Sequence, residues 1–423
     1  MKRIFLTLAA SLFAVILSAA PGFNSRWETR YSAEQRELWA SEGEIESTSG
    51  APAKIAFKGD GLIFDFSKKH RFSAKGMKPG DCIEFSAPVK NLPKGAWVDI
   101  AVYIGITREG GPEDWICELY DGKKWKAVEK GVSFHTIRGE GSCETSYVKS
   151  FQTRKAINKG SLKVRLRVLS GGSNPESAVY FMTYPRVGAY LGASTVPVKE
   201  SRRILMLGNS FTFFGGSNLA LLEICRSQGK GLDVAINVKG GQNFGQHMGL
   251  VLSREAIAKG GFDVAFLQNQ SQAAAFYDSD PVKYAYLMDD AKAIAAEVRK
   301  FSPKCRLVLE RTWASPKESW RGYGSAEAFD GALQRGSEIL GPAMGAELSP
   351  IGNAFILARE AGLDLYHTDH FHQNFTGAYL KACVNYLVLF REPFNGEVAD
   401  YCLDPAVAAK CREIAEKVTG LSK

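Results

Sequence analysis

The hydrophobic pattern changes its period near residue 200, and this change constrains the fold more than any other feature of the chain. From about residue 24 to 190, apolar and polar residues alternate in short runs such as "DCIEFSAPVK" and "SLKVRLRVLS", with turn signals such as Asp121-Gly122 between them. Beyond residue 200, short apolar runs alternate with segments of helical periodicity. The 423 residues therefore predict two domains, the first all-β and the second α/β.

The first domain, residues 24–190, is predicted to be an antiparallel β-sandwich of the jelly-roll type, because many short strands occur there with almost no helical periodicity. Its aromatic residues fit a sandwich core, and they could also stack on sugar rings. The aromatic residues of interest are Trp97, Trp115, Tyr120 and Trp125.

Residues 191–201 are polar and extended, and we interpret them as a linker. The pattern over residues 202–395 predicts a flavodoxin-like, three-layer domain, which is a parallel sheet with helices on both faces. Residues 396–423 are predicted to form a C-terminal helical extension. Asp280, followed by Pro281, is predicted to cap a long helix. The two later helices are predicted to begin near Ser325 and Asn374.

Residues 1–20 resemble a cleaved export signal, with a basic start and an apolar run too short to span a bilayer comfortably. An uncleaved anchor is the alternative. Export predicts a periplasmic or extracellular protein without stable membrane insertion after signal removal. The net charge of +8 is spread along the chain, so it indicates no nucleic-acid partner. In an oxidising compartment, Cys117 with Cys143 and Cys402 with Cys411 are the more plausible disulfides.

Polar residues follow four of the predicted strands. Because ligands bind outside the carboxyl ends of parallel strands, these residues are expected to converge on one site. The histidine-rich segment "LYHTDHFHQNF" precedes the last long helix of the α/β domain and can fold over the same edge. The four polar groups are Gly208-Asn209-Ser210, Gly240-Gly241-Gln242-Asn243, Gln268-Asn269-Gln270-Ser271 and Arg311-Thr312-Trp313.

The residue types at this edge suit nucleophilic catalysis. A serine hydroxyl needs a base, and His372 can accept the proton of Ser210 while Asp369 orients the imidazole. The N–H groups of Ser210 and Gly241 and the side-chain amide of Gln270 could stabilise the oxyanion. This chemistry requires no cofactor.

These segments resemble the conserved blocks of the SGNH (GDSL-like) hydrolases. "ILMLGNSFT" resembles the first block, with Asn209 where many members carry aspartate, and "VKGGQNF" resembles the second, with Gly241 at the oxyanion glycine. "DHFH" matches the closing Asp-x-x-His block, whereas "QNQS" departs from the usual third block and places Gln270 at the oxyanion asparagine. The resemblance, to an uncharacterised bacterial SGNH-like branch, covers residues 202–395. It implies Ser210, His372 and Asp369 as the catalytic residues.

Other polar residues at the edge are predicted to bind substrate: Asn209, Asn243, Asn269, Trp313 and His370. A rival hypothesis is a metal site built from His367, Asp369, His370 and His372. Their spacing is not the helical pair of known zinc motifs, so the sequence predicts no metal.

The function predicted is that of an exported serine esterase, acting on O-acetyl groups of a glycan. Gly208, Gly215 and Gly216 are expected to leave the site shallow and open to a bulky alcohol. The alternatives are a lipase or thioesterase, a non-catalytic carbohydrate-binding protein, and a metal-dependent hydrolase. The sequence contains no signal for an oligomeric state.

Overall fold

The computed structural model describes residues 22–27, 44–46, 53–65, 71–89, 91–136, 143–157, 160–182, 188–316 and 322–421. The predicted export signal, residues 1–20, lies outside the described residues. In the part of the chain that is described, no helix is long and apolar enough to cross a membrane.

Two antiparallel sheets form the N-terminal domain. Its strands are β1 (Gly22–Trp27), β2 (Glu44–Glu46), β3 (Lys54–Lys58), β4 (Ile63–Asp65), β5 (Arg71–Lys75), β6 (Cys82–Pro88), β7 (Trp97–Ile106), β8 (Pro112–Tyr120), β9 (Trp125–Ala127), β10 (Phe134–His135), β11 (Cys143–Gln152), β12 (Ser161–Gly171), β13 (Ala178–Met182) and β14 (Ala189–Ser194). The first sheet has the order β1-β14-β7-β13-β5-β4, with β11 also paired to β7. The second has the order β10-β8-β12-β6-β3-β2, with β9 also paired to β8.

The two sheets share one apolar core, as the alternating pattern predicts. In β12, Val164 and Leu166 are fully buried in this core. Arg165 and Arg167 alternate with these two residues and lie on the opposite face of the sheet. Their Nε atoms lie 2.7 and 3.0 Å from a carboxylate oxygen of Glu118 on β8. Because side chains alternate between the two faces of a strand, this pattern also sets the register of the sheet.

The second domain contains a five-stranded parallel sheet. Its strands are β15 (Glu200–Gly208), β16 (Lys230–Val238), β17 (Val264–Leu267), β18 (Arg306–Glu310) and β19 (Glu347–Ser349). Their order in the sheet is β16-β15-β17-β18-β19. In chain order within the domain this is 2-1-3-4-5, the flavodoxin-like arrangement, so the predicted parallel sheet is confirmed.

Helices cover both faces of this sheet. They are α1 (Ser210–Phe213), α2 (Ser217–Ser227), α3 (Phe244–Gly249), α4 (Val251–Ala258), α5 (Ala273–Ser279), α6 (Ala285–Phe301), α7 (Ala326–Met344), α8 (Ile351–Glu360), α9 (Phe375–Phe390) and α10 (Pro405–Thr419). Ile204 and Met206 of β15 pack in the core formed with α2, α8, α9 and α10. Leu205 and Leu207 pack in the core formed with α3, α4, α6 and α7. The domain therefore has three layers.

The predicted helix starts are met at two of three positions. Ser325 caps α7, its side chain accepting from Ala328 N–H at 3.0 Å, and Asn374 caps α9. Asp280 instead caps a separate turn, because its side chain accepts from Lys283 N–H at 2.9 Å and α6 begins only at Ala285.

The segment between the two domains is shorter than the predicted linker, residues 191–201, because β14 ends at Ser194 and β15 begins at Glu200. Residues 191–194, placed in the linker, continue β14 in its pairing with β1 and β7. In the C-terminal segment, Cys411 and Ile414 of α10 are buried in the same core as α9. The last helix is thus packed into the α/β domain.

A buried ion pair joins the two domains. Arg226 of α2 donates through Nε to Asp99 of β7 at 3.0 Å, and Ser150 Oγ donates to the same carboxylate at 2.5 Å. Nearby, the rings of Tyr103 and Phe213 stack with centroids 4.3 Å apart. The sandwich is therefore packed directly against the helix that carries Ser210.

Neither of the disulfides expected from the sequence is formed. Cys117 lies on β8 in one sheet and Cys143 on β11 in the other. Cys402 is exposed, whereas Cys411 is buried against α9. Apart from the exposed Cys402, the cysteines are used as small buried side chains.

Candidate active site

Ser210 lies where β15 turns into a one-turn helix. β15 ends at Gly208, Asn209 caps α1, and Ser210 is the first helical residue. The Asn209 Oδ1 accepts from Phe211 N–H at 3.1 Å, which holds the turn closed. The first N–H groups of a helix have no acceptor inside it. The turn therefore presents both a hydroxyl and an N–H at the carboxyl edge of the sheet.

Ser210, His372 and Asp369 form a hydrogen-bonded chain. Ser210 Oγ lies 2.8 Å from His372 Nε2, and His372 Nδ1 lies 2.6 Å from Asp369 Oδ2. Because the carboxylate accepts the proton on Nδ1, Nε2 is left to accept from the serine hydroxyl. The structure thus brings together the three residues that the sequence placed in one relay.

Asp369 is held as a carboxylate. Burial alone would raise the pKa of Asp369. Hydrogen bonds from the His372 ring and from the N–H groups of Phe371 and His372 have the larger, opposite effect, so the pKa lies well below its usual range. Both N–H groups donate to Oδ1 at 2.9 Å, which leaves Oδ2 for the imidazole. The loop backbone therefore fixes the direction of the carboxylate toward His372.

Aromatic rings surround the His372 imidazole. The Phe214 ring stacks on it with centroids 3.9 Å apart and an interplanar angle of 14°. Phe211 and Phe371 approach edge-on, with centroids at 5.6 and 5.0 Å. These contacts leave the ring little freedom to rotate, so its Nε2 stays directed at Ser210.

Asn209 connects three strand-end loops. Its Nδ2 donates to the carbonyls of Gln242 at 3.0 Å and Asn269 at 3.1 Å, and its N–H donates to Gln268 Oε1 at 3.0 Å. Asn269 Oδ1 in turn accepts from Phe244 N–H at 3.1 Å. The loops after β15, β16 and β17 are therefore locked together around Ser210.

The candidate oxyanion donors lie on these same loops. Gly241 adopts a φ of 75°, a left-handed conformation that favours glycine. Gln270 is half-buried, and its Oε1 accepts from Gln272 N–H at 2.8 Å, so the amide Nε2 faces away from that bond. Asn269 Nδ2 is buried and has no hydrogen-bond partner among the described residues.

Three of the five predicted substrate-binding residues are buried inside the supporting structure. Asn209 and Asn269 are 2% and 6% exposed and tie the loops together. Trp313 is stacked between Phe211 and Phe355, with its Nε1 donating to Phe371 O at 3.2 Å. These side chains support the site from beneath.

The other two predicted substrate-binding residues remain accessible. Asn243 is half-buried and caps α3, exchanging hydrogen bonds with Gln246 at 2.8 and 2.9 Å. His370 is exposed in a left-handed conformation with φ 57°, and Ser315 Oγ donates to its carbonyl at 2.8 Å. Both lie on loops that border the Ser210 site.

The glycines near Ser210 serve packing rather than an open site. Gly208, Gly215 and Gly216 are all buried. A Cβ at Gly215 would lie 2.7 Å from the carbonyl oxygen of Asn374, and its φ is 61°. Because these glycines are buried, they do not open the site, and the close approach of Asn374 accounts for Gly215.

The histidine loop shows no arrangement suited to a metal. Among the described residues, no group of three or more His, Cys, Asp or Glu side chains is placed to hold one. Both ring nitrogens of His372 are engaged by Ser210 and Asp369, and His367 Nδ1 lies 3.2 Å from Thr368 Oγ1.

His247 is buried beneath the site. Its Nε2 lies 3.1 Å from the carbonyl of Gly208 and its Nδ1 lies 2.8 Å from Ser253 Oγ. A carbonyl can only accept, so Nε2 carries the proton and Nδ1 accepts from the hydroxyl. Burial lowers the pKa of His247 to about 4, so the ring is neutral at ordinary pH.

Sequence reasoning missed two residues that hold the turn at Ser210. Gln373 Nε2 lies 2.9 Å from the carbonyls of both Phe211 and Phe214, and Lys381 Nζ donates to Phe211 O at 3.0 Å. Lys381 also pairs with buried Glu310 at 2.6 Å. The position of Lys381 within the apolar run "GAYLKACVNYLVLF" could have indicated a buried, paired lysine. No feature of the sequence around Gln373 indicated its role.

No family model matches the chain, and no curated protein matches it. Solved structures similar to part of this chain include a DUF4886 family protein from Bacteroides uniformis, at 17% identity and a TM-score of 0.43, covering 52% of this chain and 95% of that one. A second is Axe2, an acetylxylan esterase from Geobacillus stearothermophilus, at 12% identity and a TM-score of 0.36, covering 48% and 99%.

A third similar structure is named as a GDSL-like lipase, from Parabacteroides merdae, at 15% identity and a TM-score of 0.34, covering 46% of this chain and 97% of that one. At these identities and TM-scores the neighbours assign no activity to this chain.

Proposed function

We propose that this chain is an exported serine esterase that hydrolyses O-acetyl groups on a glycan. The observation that carries the proposal is the continuous chain from Ser210 Oγ to His372 Nε2 at 2.8 Å and from His372 Nδ1 to Asp369 Oδ2 at 2.6 Å. A serine so placed can lose its proton to the imidazole as it attacks, and the carboxylate stabilises the imidazolium that results.

In the first half of the proposed reaction, Ser210 Oγ attacks the acetyl carbonyl and its proton passes to His372 Nε2. The carbonyl oxygen becomes an oxyanion, for which the N–H groups of Ser210 and Gly241 and the Gln270 amide are the candidate donors. The tetrahedral intermediate then collapses, and His372 returns the proton to the sugar oxygen as that oxygen leaves. The product is an acetyl-serine.

In the second half, water replaces the sugar alcohol as the nucleophile. His372 takes a proton from the water, hydroxide adds to the acetyl carbonyl, and Ser210 leaves with the proton returned by His372. Acetate and free enzyme result. Every proton passes between named protein groups, substrate and water, so the proposed reaction uses no cofactor.

Two observations support a large, hydroxylated substrate. The His372 side chain is 18% exposed and Ser210 is half-buried, so the reacting atoms lie at the sheet edge where a polymer can approach. On the sandwich, Tyr120 and Trp125 are half-buried with ring centroids 5.3 Å apart, a surface on which sugar rings can stack. The predicted export signal supports an extracellular glycan.

Acetate release from acetylated plant and host glycans tests the proposal. Wild-type protein should release acetate, Ser210→Ala should not, and a phosphonate inhibitor should label Ser210 alone. Acetyl esters of p-nitrophenol should be cleaved faster than dodecanoyl esters or thioesters. A preference for long acyl chains would indicate a lipase, and loss of activity on chelation, restored by a divalent ion, would indicate a metal-dependent hydrolase. Binding to glycans without any turnover would leave only carbohydrate recognition.

A further inference from the structure

One face of the sheet that contains β7 and β11 packs against the α/β domain. Ala101 and Tyr103 of β7 and Val148 of β11 are buried in the core that this domain forms around α2 and α9. Glu144 lies four residues before Val148 on β11, and side chains two or four residues apart on a strand share a face. The half-buried Glu144 carboxylate is therefore directed at the α/β domain.

Two buried tyrosine hydroxyls hold this carboxylate. Tyr103 of β7 donates to Glu144 Oε2 at 2.6 Å, and Tyr180 of β13 donates to Oε1 at 3.1 Å. Gly105 of β7 is paired with both Glu144 and Tyr180 in the register of the sheet, and a Cβ at Gly105 would overlap the Tyr180 ring. The glycine thus lets Tyr180 reach across β7, so that the two hydroxyls fix the direction of the carboxylate.

The loop after β16, residues 239–242, is anchored at its two ends. Its first N–H donates to Gly208 O at 3.2 Å, and its last carbonyl accepts from Asn209 Nδ2 at 3.0 Å. The middle of the loop consists of Gly240 and Gly241, which are both exposed. Two consecutive glycines have wide conformational freedom, so the anchors at the ends do not by themselves fix the direction of the N–H groups between them.

Glu144 restrains the middle of this loop. The Gly240 N–H donates to Glu144 Oε2 at 3.4 Å. The N–H of Gly241, a candidate oxyanion donor, belongs to the next peptide group along the chain, and holding Gly240 in place limits the rotation of that peptide. The bond from Gly240 to Glu144 therefore acts on the direction in which the Gly241 N–H points.

The same carboxylate oxygen is connected to the turn at Ser210. Its second donor, Tyr103, stacks on Phe213 with ring centroids 4.3 Å apart and an interplanar angle of 20°. Phe213 is the last residue of α1, and Ser210 is the first. Glu144 thus connects the two segments that present the candidate oxyanion donors, the N–H groups of Ser210 and Gly241.

From these contacts we propose that Glu144 is a positioning residue, which sets the separation and direction of the oxyanion donors on Ser210 and Gly241. The proposal rests on the esterase function proposed above. Oxyanion donors stabilise the transition state only when they point at the developing charge, so a small displacement of the loop lowers kcat. The sandwich, which supplies Glu144, Tyr103 and Tyr180, thereby completes the active site of the neighbouring domain.

Kinetics of three variants on an acetyl ester test the proposal. Glu144→Leu removes both acceptor oxygens, and it should lower kcat about tenfold to a hundredfold with KM within about twofold. Glu144→Gln keeps an amide oxygen that can accept from Gly240 N–H, so its kcat should lie within about threefold of the wild type. Glu118→Leu is the matched control, because Glu118 is a sandwich carboxylate that binds Arg165 and Arg167 in the other sheet. This control should lower the Tm and leave kcat unchanged.

Hydrogen exchange is the second readout, and it needs no turnover. Amide exchange over residues 239–243 should be about tenfold faster in Glu144→Leu than in the wild type or in Glu118→Leu, because the loop loses its central restraint. The inference is overturned if Glu144→Leu keeps either the kcat or the exchange of the wild type, or if Glu118→Leu lowers kcat as much. A wild type without ester turnover would end the esterase proposal, and the exchange result would then decide whether Glu144 holds the loop.

Discussion

At the scale of single residues, the loop after α8 gives its three histidines different surroundings. His372 is enclosed by aromatic rings and hydrogen-bonded at both ring nitrogens. His370 is exposed and lies beyond the relay, and His367 is hydrogen-bonded through Nδ1 to its neighbour Thr368. Only His372 has the geometry for proton transfer with Ser210.

We therefore expect the histidine variants to be unequal. His372→Ala should reduce kcat at least about a thousandfold, because in the described part of the chain His372 is the base hydrogen-bonded to Ser210 Oγ. Asp369→Asn should also reduce kcat strongly, since an amide cannot stabilise the imidazolium. His367→Ala and His370→Ala should change kcat by less than about threefold. Steady-state kinetics on an acetyl ester, with circular dichroism to verify folding, measures all four.

The pH–rate profile provides a second measurement of the same relay. The acidic limb of the profile should report loss of the base that accepts the proton of Ser210. Asp369 remains ionised through that range because its pKa is lowered. An inactive His370→Ala variant, or an acidic limb abolished by that substitution, would contradict this assignment.

A separate prediction distinguishes the two adjacent amides after β17. Gln270→Leu should lower kcat about a hundredfold with a smaller effect on KM, because the donor acts on charge that develops in the transition state. Asn269→Asp keeps the Oδ1 that accepts from Phe244 N–H and removes the buried Nδ2 donor. If Gln270→Leu keeps the wild-type kcat while Asn269→Asp loses it, Gln270 is not the oxyanion donor.

At the scale of elements, α1 is too short to satisfy its own backbone. A helix of four residues leaves its last carbonyls without intrahelical partners. Gln373 and Lys381 donate to Phe211 O, and Gln373 also reaches Phe214 O. Gln373 directly follows His372 in the chain. The Gln373 side chain therefore fixes the distance between the turn at Ser210 and the loop that carries His372.

Gln373→Met tests this clamp, because methionine keeps the shape and removes the donors. The variant should lose about tenfold to a hundredfold in kcat with KM within about twofold, since a small displacement of Ser210 from His372 slows the reaction. Gln228→Met is the matched control, because Gln228 donates to a backbone carbonyl at 2.8 Å on the exposed surface. Equal kinetics for the two variants would remove the positioning role.

At the scale of the whole molecule, hydrogen bonds connect the sandwich to the backbone at Gly208. Thr145 of β11 donates to Asn237 Oδ1 at 3.3 Å, and Asn237 Nδ2 donates to Ser253 Oγ at 2.8 Å. Ser253 then donates to His247, which donates to Gly208 O. The sandwich thus supports the residue that precedes the Asn209–Ser210 turn.

Neutral His247 makes this network sensitive to acid. The pKa of His247 is about 4 in the folded protein against 6.5 for the free side chain, so the unfolded protein takes up the proton first as the pH falls. The free energy of unfolding is therefore unaffected by this group above pH 6.5, and it decreases as the pH falls from 6.5 to about 4. The loss amounts to about 3 kcal/mol. His247→Gln keeps a donor for Gly208 O and has no proton to gain.

Urea unfolding at pH 7, 5 and 4 measures the difference. The free energy of unfolding of the wild type should fall more than that of His247→Gln between pH 7 and pH 4, by roughly 3 kcal/mol. Parallel curves for the two proteins would show that His247 is accessible to protons in the folded state, which would contradict its burial.

The sequence by itself predicted the division into an all-β and an α/β domain, the parallel sheet, and the relay residues Ser210, His372 and Asp369. Local patterns carry this information: alternation sets the faces of β12, and apolar runs ending in polar residues mark strand ends at the sheet edge. The blocks around Ser210 and His372 were informative because their chemistry depends on short stretches of chain.

Tertiary structure alone decided which polar residues face a substrate and which support the site. Asn209, Asn269 and Trp313 have the composition of binding residues, yet packing buries them as links between loops. The clamp by Gln373 and the ion pair between Asp99 and Arg226 each join residues from distant parts of the chain. Burial and pairing of this kind depend on how the helices and strands pack together. The hydrophobic periodicity of the sequence does not predict that packing.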